Sequence, residues 1–147
     1  MDFTIDIARP PERVFALIAD LPSYPRWLPP SGLYGSTTQV SETPVTLGTT
    51  YVDGKQAKLR GRVTEYQPPF AIAFHQESRL LLSRLAIDIR YRLEPLGAGT
   101  RVHRTTTPQM RAGLGRGTTD VRCTFGRNRI GGVSFCCQCT CVERGTG

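Results

Sequence analysis

Phe3, Ile5 and Ile7 alternate with Asp2, Thr4 and Asp6, the two-residue period of a strand with one face buried. The period then lengthens. Arg9-Pro10-Pro11-Glu12 suits the first turn of a helix, where proline forfeits no hydrogen bond and an acid meets the positive end of the dipole. Val14, Phe15, Ile18 and Leu21 form the apolar stripe of that helix. From Leu21 to Pro30 prolines recur too often for a long helix, so a short helical turn and an irregular stretch are predicted, with Tyr24 and Trp27 facing the same way.

Beyond residue 33 the pattern is that of successive antiparallel strands, predicted over 34–40, 47–53, 56–66, 70–77, 84–94 and 99–106. The fifth is the plainest: Leu85, Ile87, Ile89, Tyr91 and Leu93 share one face, and Ala86, Asp88, Arg90, Arg92 and Glu94 share the other. Turn chemistry marks the boundaries. Asp53-Gly54 suits a tight hairpin, Pro68-Pro69 interrupts a ladder, and Gly97-Ala98-Gly99 supplies permissive backbone. One strand, two short helical pieces and a six-strand meander make an α+β order.

The inner face of that meander would present Leu59, Val63, Phe74, Leu85, Ile87, Ile89, Tyr91 and Val102. Any core needs such residues, so the polar positions of the same parity carry more information. Gln76 continues the parity of Phe70, Ile72 and Phe74, and Arg104 shares that of Val102; a polar group inside an apolar cavity orients a ligand. The candidate ligand-binding residues are therefore Trp27, Tyr51, Leu59, Val63, Phe74, Gln76, Ile87, Ile89, Tyr91 and Arg104. His75 falls with Ala71 and Ala73, and His103 with Arg101, so both are expected outside. No Ser-His-Asp order, metal-ligand spacing, phosphate loop or close carboxylate pair is visible. No catalytic residue, metal or cofactor is assigned.

After residue 107 the periodicity lapses. Residues 108–147 hold all five cysteines and eight of the fifteen glycines, and six arginines against Asp120 and Glu143 give them +4 of the net +7, leaving +3 for residues 1–107. Two segments follow: a domain body over 1–107 and an atypical Gly-, Arg- and Cys-rich tail over 108–147. Translation in another frame would produce so abrupt a change; a genuine solvated tail is the alternative. Cys123 and the run Cys136-Cys137-Gln138-Cys139-Thr140-Cys141 are dense enough to attract soft metals but lack the paired Cys-x2-Cys spacing of a structural zinc site. The scattered tail arginines have no aromatic platform or reading helix beside them, so nucleic acid is not expected as a partner.

With 147 residues and 39% apolar content, one core suffices. No apolar run reaches the length of a membrane span and no secretory leader is visible, so a cytoplasmic protein is expected. Pairing of two copies through an exposed sheet face is compatible with the pattern.

The string Ile5-Asp6-Ile7-Ala8-Arg9-Pro10-Pro11-Glu12-Arg13-Val14-Phe15, then Asp20, Tyr24 and Trp27, resembles the opening of polyketide cyclase/dehydrase proteins of the START-like (SRPBCC) superfamily. The likeness continues in Gly48-Thr49, in Arg62-Val63-Thr64-Glu65-Tyr66-Gln67-Pro68-Pro69 and in Gly99-Thr100-Arg101-Val102, and covers about 1–107. It implies a helix-grip fold, in which a curved antiparallel sheet wraps a long C-terminal helix around an apolar cavity. The chain departs from that pattern at the helix. Gly113, Gly115, Gly117, Gly126, Gly131 and Gly132 puncture the segment, each interior glycine costing about 0.5–1 kcal/mol relative to alanine, so the helix is expected to be absent or degenerate. The resemblance implies binding of a hydrophobic small molecule such as a lipid, polyketide or aromatic. A cyclase/dehydrase is the alternative, with Trp27, Tyr34, Tyr51, Tyr91 and Arg104 around a keto chain and His75 or His103 as acid/base, and a coenzyme-Q-type lipid chaperone stands close to it. A metal- or nucleic-acid-binding tail is the second alternative.

Overall fold

Alternation along the strands becomes two chemically distinct faces of one curled sheet. The computed structural model describes residues 1–28, 36–54, 58–80, 83–112, 123–124 and 138–139. Strand β1 (Asp2–Ile7) leads into helix α1 (Pro11–Ala19), a 3-10 turn (Leu21–Ser23) and the single-turn helix α2 (Tyr24–Trp27). Strands β2 (Thr37–Thr38), β3 (Thr50–Asp53), β4 (Leu59–Gln67), β5 (Ala71–Leu80), β6 (Ser83–Leu96) and β7 (Gly99–Ala112) follow. The sheet order is β1-β7-β6-β5-β4-β3-β2, and every pairing is antiparallel. This is the α+β helix-grip architecture, a meander closed by the N-terminal strand lying against the last long one.

Among the described residues there is no long C-terminal helix, and no helix is long and apolar enough to cross a membrane. In the tail, Cys123–Thr124 pairs with Gln138–Cys139. Gly113, Gly115, Gly117, Gly126, Gly131, Gly132, Cys136, Cys137 and Cys141 lie outside the described residues, as does Tyr34.

The element order follows the alternation; the first strand of the meander shortens from 34–40 to Thr37–Thr38 among the described residues, and other details differ for physical reasons. Strand β7 runs on to Ala112 instead of ending at 106, so the sheet passes the expected body boundary at 107. Its partner on one side, β1, pairs as far as Asp2 and Thr105, and Met1 bonds Thr106, so Pro108 sits where β7 has no outer neighbour among the described residues, and an edge tolerates a residue without an N–H. Asp53 pairs with Leu59, so residues 54–58 join β3 to β4 in place of a two-residue hairpin. In β4 the register shifts between Val63 and Glu65, a bulge that turns Tyr66 inward onto Phe15, with ring centroids 5.4 Å apart. Phe70, whose parity matches the inner face, lies instead in the β4–β5 turn, 54% exposed, where its carbonyl accepts the Leu93 N–H at 2.8 Å.

Helix α1 covers one end of the inner face. Val14, Phe15 and Ile18, with Leu21 and Tyr24 just beyond, pack against Val63, Ile72, Phe74, Leu93 and Val102. Tyr24 donates its hydroxyl to the Ile18 carbonyl at 2.6 Å, closing the helical corner. A side chain at Gly99 would run into the Ile7 carbonyl of β1, so the β1–β7 seam requires glycine at this point. The outer face is polar and paired: Arg101 grips Asp6 with two nitrogens at 2.7 and 2.8 Å, and Arg90 grips Glu65 at 2.6 and 2.8 Å.

Because Ile72 is fully buried between α1 and the sheet, Ile72→Ala should lower the free energy of unfolding by about 2–5 kcal/mol. The exposed Phe70→Ala should change it by no more than about 0.5 kcal/mol. Urea denaturation of the two variants checks the placement of the core.

Candidate functional site

Strand register lines up the inward side chains in rows across the concave face. Tyr51 lies opposite Gly61, which pairs with Gln76, which pairs with Ile87. Val63, Phe74, Ile89 and Thr106 make the next row, and Ile72, Tyr91 and Arg104 the one after. Nine of the ten candidate residues thus fall on one face: Tyr51, Leu59, Val63, Phe74, Gln76, Ile87, Ile89, Tyr91 and Arg104. Trp27 reaches it from α2, packed against the core and edge-on to Tyr24 at 4.9 Å.

Burial along this face is uneven. Tyr51, Val63 and Phe74 are closed into the cluster beneath α1, whereas Leu59, Leu85 and Ile87 form a separate cluster towards the other end. Ile89 packs against both. Ile89, Tyr91, Arg104 and Trp27 remain partly accessible although all belong to the inner side. The rings line the surface in edge-to-face steps, Tyr51 to Phe74 at 6.0 Å and Phe74 to Tyr91 at 6.3 Å. The Arg104 guanidinium lies over the Tyr91 ring, 5.6 Å from its centroid.

At the β3 side of this apolar surface sits a polar group that the sequence hides. Asp53 is 5% exposed. Its Oδ1 accepts the Thr37 hydroxyl at 2.6 Å, and its Oδ2 accepts an amide hydrogen from Gln76 Nε2 at 2.7 Å. The same nitrogen donates to the Tyr51 hydroxyl at 3.1 Å. Burial pushes the Asp53 carboxyl up to about 6 against the lowering effect of these two donors. Burial also drives the Tyr51 and Tyr24 phenols up from their ordinary value, so both stay protonated at neutral pH. Tyr51 lies flat across β4 because Gly61 leaves room: a Cβ there would overlap three atoms of its ring. Asp-Gly reads as turn chemistry, which is why Asp53 escaped notice; the one available signal was its parity with Tyr51 at the end of a strand.

Both histidines of the chain lie on the convex face. His75 bonds Asp88 at 2.6 Å and Glu77 at 3.0 Å, contacts that hold its pKa above the usual range, and His103 meets Thr4 at 3.1 Å. An open depression of about 520 Å3 also lies on this side, with Thr64, Glu65, Ala73, Arg90, Thr105 and Thr107 among its lining. Its charged wall is the Glu65–Arg90 pair and Asp88, which bonds His75, all satisfied internally. Among the described residues no group of His, Cys, Asp and Glu has the arrangement of metal ligands.

The family model described as polyketide cyclase/dehydrase and lipid transport matches residues 1–129. In sequence the chain matches no curated protein. In structure it is similar to protein Mll3558 from Rhizobium loti (TM-score 0.54, 22% identity, 78% of this chain and 83% of that one). It is similar also to protein CV1439 from Chromobacterium violaceum (TM-score 0.52, 20% identity, 73% and 79%). A third likeness is to PFC0360w, an HSP90 activator from Plasmodium falciparum (TM-score 0.51, 16% identity, 72% and 70%). At these identities the likeness is one of fold.

Asp53 gives a pH signature of known sign. In the folded chain it keeps its proton up to about pH 6, in the unfolded chain only to about 3.9. Between these values the native state binds more protons, so this group's contribution to stability falls as pH rises. The stability of the wild type relative to Asp53→Asn should therefore drop by about 2 kcal/mol from pH 4 to pH 7 and level off above. Urea titrations at each pH measure it; a flat difference would mean that the carboxyl is solvated.

Proposed function

Because the chain belongs to the polyketide cyclase/dehydrase and lipid transport family, we propose that it binds an apolar small molecule on the concave face, between the helical cover and the middle of β5, β6 and β7. One observation carries this reading: inward side chains in the middle of the sheet, Ile89, Tyr91 and Arg104, stay partly accessible while inward residues on either side of them are buried. A face that served only as core would close most completely at its centre. The aromatic steps from Tyr51 to Tyr91 offer flat, stiff contact area, and the polar group around Gln76 supplies direction, the composition usual for a small-molecule cavity.

Among the described residues Asp53 is the inner-face carboxyl that catalysis could use as a proton carrier, since both histidines lie on the other side. Family membership does not choose between carrier and enzyme, because function belongs to the site and not to the fold. The apolar lining supports binding first.

The test is to fill the space. Nile red, a neutral apolar dye, should bind the wild type with a fluorescence increase, and Ile89→Trp should weaken it at least tenfold while the melting temperature falls by only a few degrees. If Ile89 is ordinary core, a larger side chain overpacks it at a cost of about 1–3 kcal/mol. Dye binding, where present at all, would then survive in whatever fraction stays folded. That outcome would sink the cavity reading.

A further inference from the structure

Among the described residues Asp53 is a buried carboxylate without a counter-ion. Its two recorded partners, Thr37 and Gln76, are neutral, and no cation contributes to its titration. Hydrogen bonds satisfy its geometry, but a charge taken out of water is costly until an opposite charge meets it. The neighbouring elements supply none on this side. From β2 it faces Thr37, from β4 Leu59, from β5 Gln76 and from its own strand Tyr51, whereas Arg60 and Arg62 of β4 and His75 and Glu77 of β5 occupy outward positions. Tyr24 stands across from it as a neutral phenol. Among the described residues the inner-face cation, Arg104, lies on β7 over the Tyr91 ring.

Arg104 also shows what this lining tolerates. A guanidinium already rests on one ring of the aromatic series, an arrangement in which the ring face attracts positive charge. The Tyr51 ring belongs to the same series and carries Asp53 and Gln76 beside its hydroxyl. Each Asp53 oxygen accepts one hydrogen bond, leaving lone pairs to spare.

We infer that the ligand of this cavity is a lipophilic cation, an apolar body packed on the accessible Ile89 and Tyr91 whose positively charged nitrogen pairs with Asp53 beside the Tyr51 ring. This inference rests on the apolar-ligand reading above and narrows it to one class, amines and quaternary ammonium compounds, in preference to neutral or anionic ligands of the same shape.

The experiment compares two probes of nearly equal shape for their power to displace Nile red from the whole chain: (naphthalen-2-ylmethyl)trimethylammonium, a permanent cation, and 2-neopentylnaphthalene, its neutral counterpart. Neither probe titrates, so any pH dependence belongs to the protein. At pH 8, where Asp53 is ionised, the cation should displace the dye at a concentration at least tenfold lower. As pH falls through about 6 the carboxylate is protonated, and the preference should shrink at least fivefold by pH 5. In Asp53→Asn the preference should be absent at both pH values. Equal displacement by the two probes at pH 8 overturns the inference and leaves the cavity standing. So does a preference that persists in Asp53→Asn, which would place the cation elsewhere. Should that variant fail to fold, the wild-type pH profile still decides, since a preference unchanged between pH 8 and pH 5 excludes a carboxylate titrating near 6. If neither probe displaces the dye, or the dye does not bind, the cavity reading fails and the cation site with it.

Discussion

The register of four long antiparallel strands determines what meets on the inner face. Side chains two apart along a strand share a face, and the pairing fixes which of them are neighbours across strands. Gly61 opposite Gln76, Val63 opposite Phe74 and Ile72 opposite Tyr91 are consequences of one alignment, and a slip by a single residue would turn the whole set outward. The bulge between Val63 and Glu65 uses this rule once in reverse. It moves the far end of β4 by one position, so that Tyr66 meets Phe15 and the helix is held against the sheet.

That alignment leaves more apolar inner face than α1 can cover. A nine-residue helix is about 13 Å long at 1.5 Å per residue, whereas a strand of fourteen residues such as β6 spans about 45 Å. The helix therefore caps one end of the face, where Ile72, Leu93 and Val102 are buried with it. Ile89 touches both clusters and is fully enclosed by neither. Residual accessibility at this point is a geometric result of a short helix on a long strand.

Much of this was legible in the sequence because alternation survives wherever a strand has one wet and one dry side. Gln76, flanked by Phe74 in the same parity, announced an inward polar group, and the acidic and basic outward positions of β6 made its dry side plain. Three features were not legible, each because a local rule pointed elsewhere. Asp53 precedes a glycine, and that pair is the commonest token of a turn; only the pairing with Leu59 and the donors Thr37 and Gln76 reveal it as the buried end of a strand. Pro108 reads as a stop because proline lacks an N–H, but beyond Thr106, which bonds Met1, strand β7 has no outer partner among the described residues to miss one. Phe70 has core chemistry and the right parity, yet the turn that follows Pro68-Pro69 holds it outside.

Asp53 is the residue whose local role and chemistry do not match. As a structural tie it links β2, β3 and β5 through Thr37 and Gln76, and an asparagine would tie them equally well, since the Gln76 amide can reverse to meet either a donor or an acceptor. The neutral residue would avoid the desolvation of a charge, a penalty of several kcal/mol for an isolated ion, which two neutral donors offset only in part. The rise of the carboxyl to about 6 records that shortfall. What distinguishes aspartate from asparagine here is therefore the charge alone, and a charge is useful only to something that responds to it. On a face lined by Tyr51, Phe74 and Tyr91, a surface that welcomes cations and that already holds one in Arg104, the responding group is a positive one brought by the ligand.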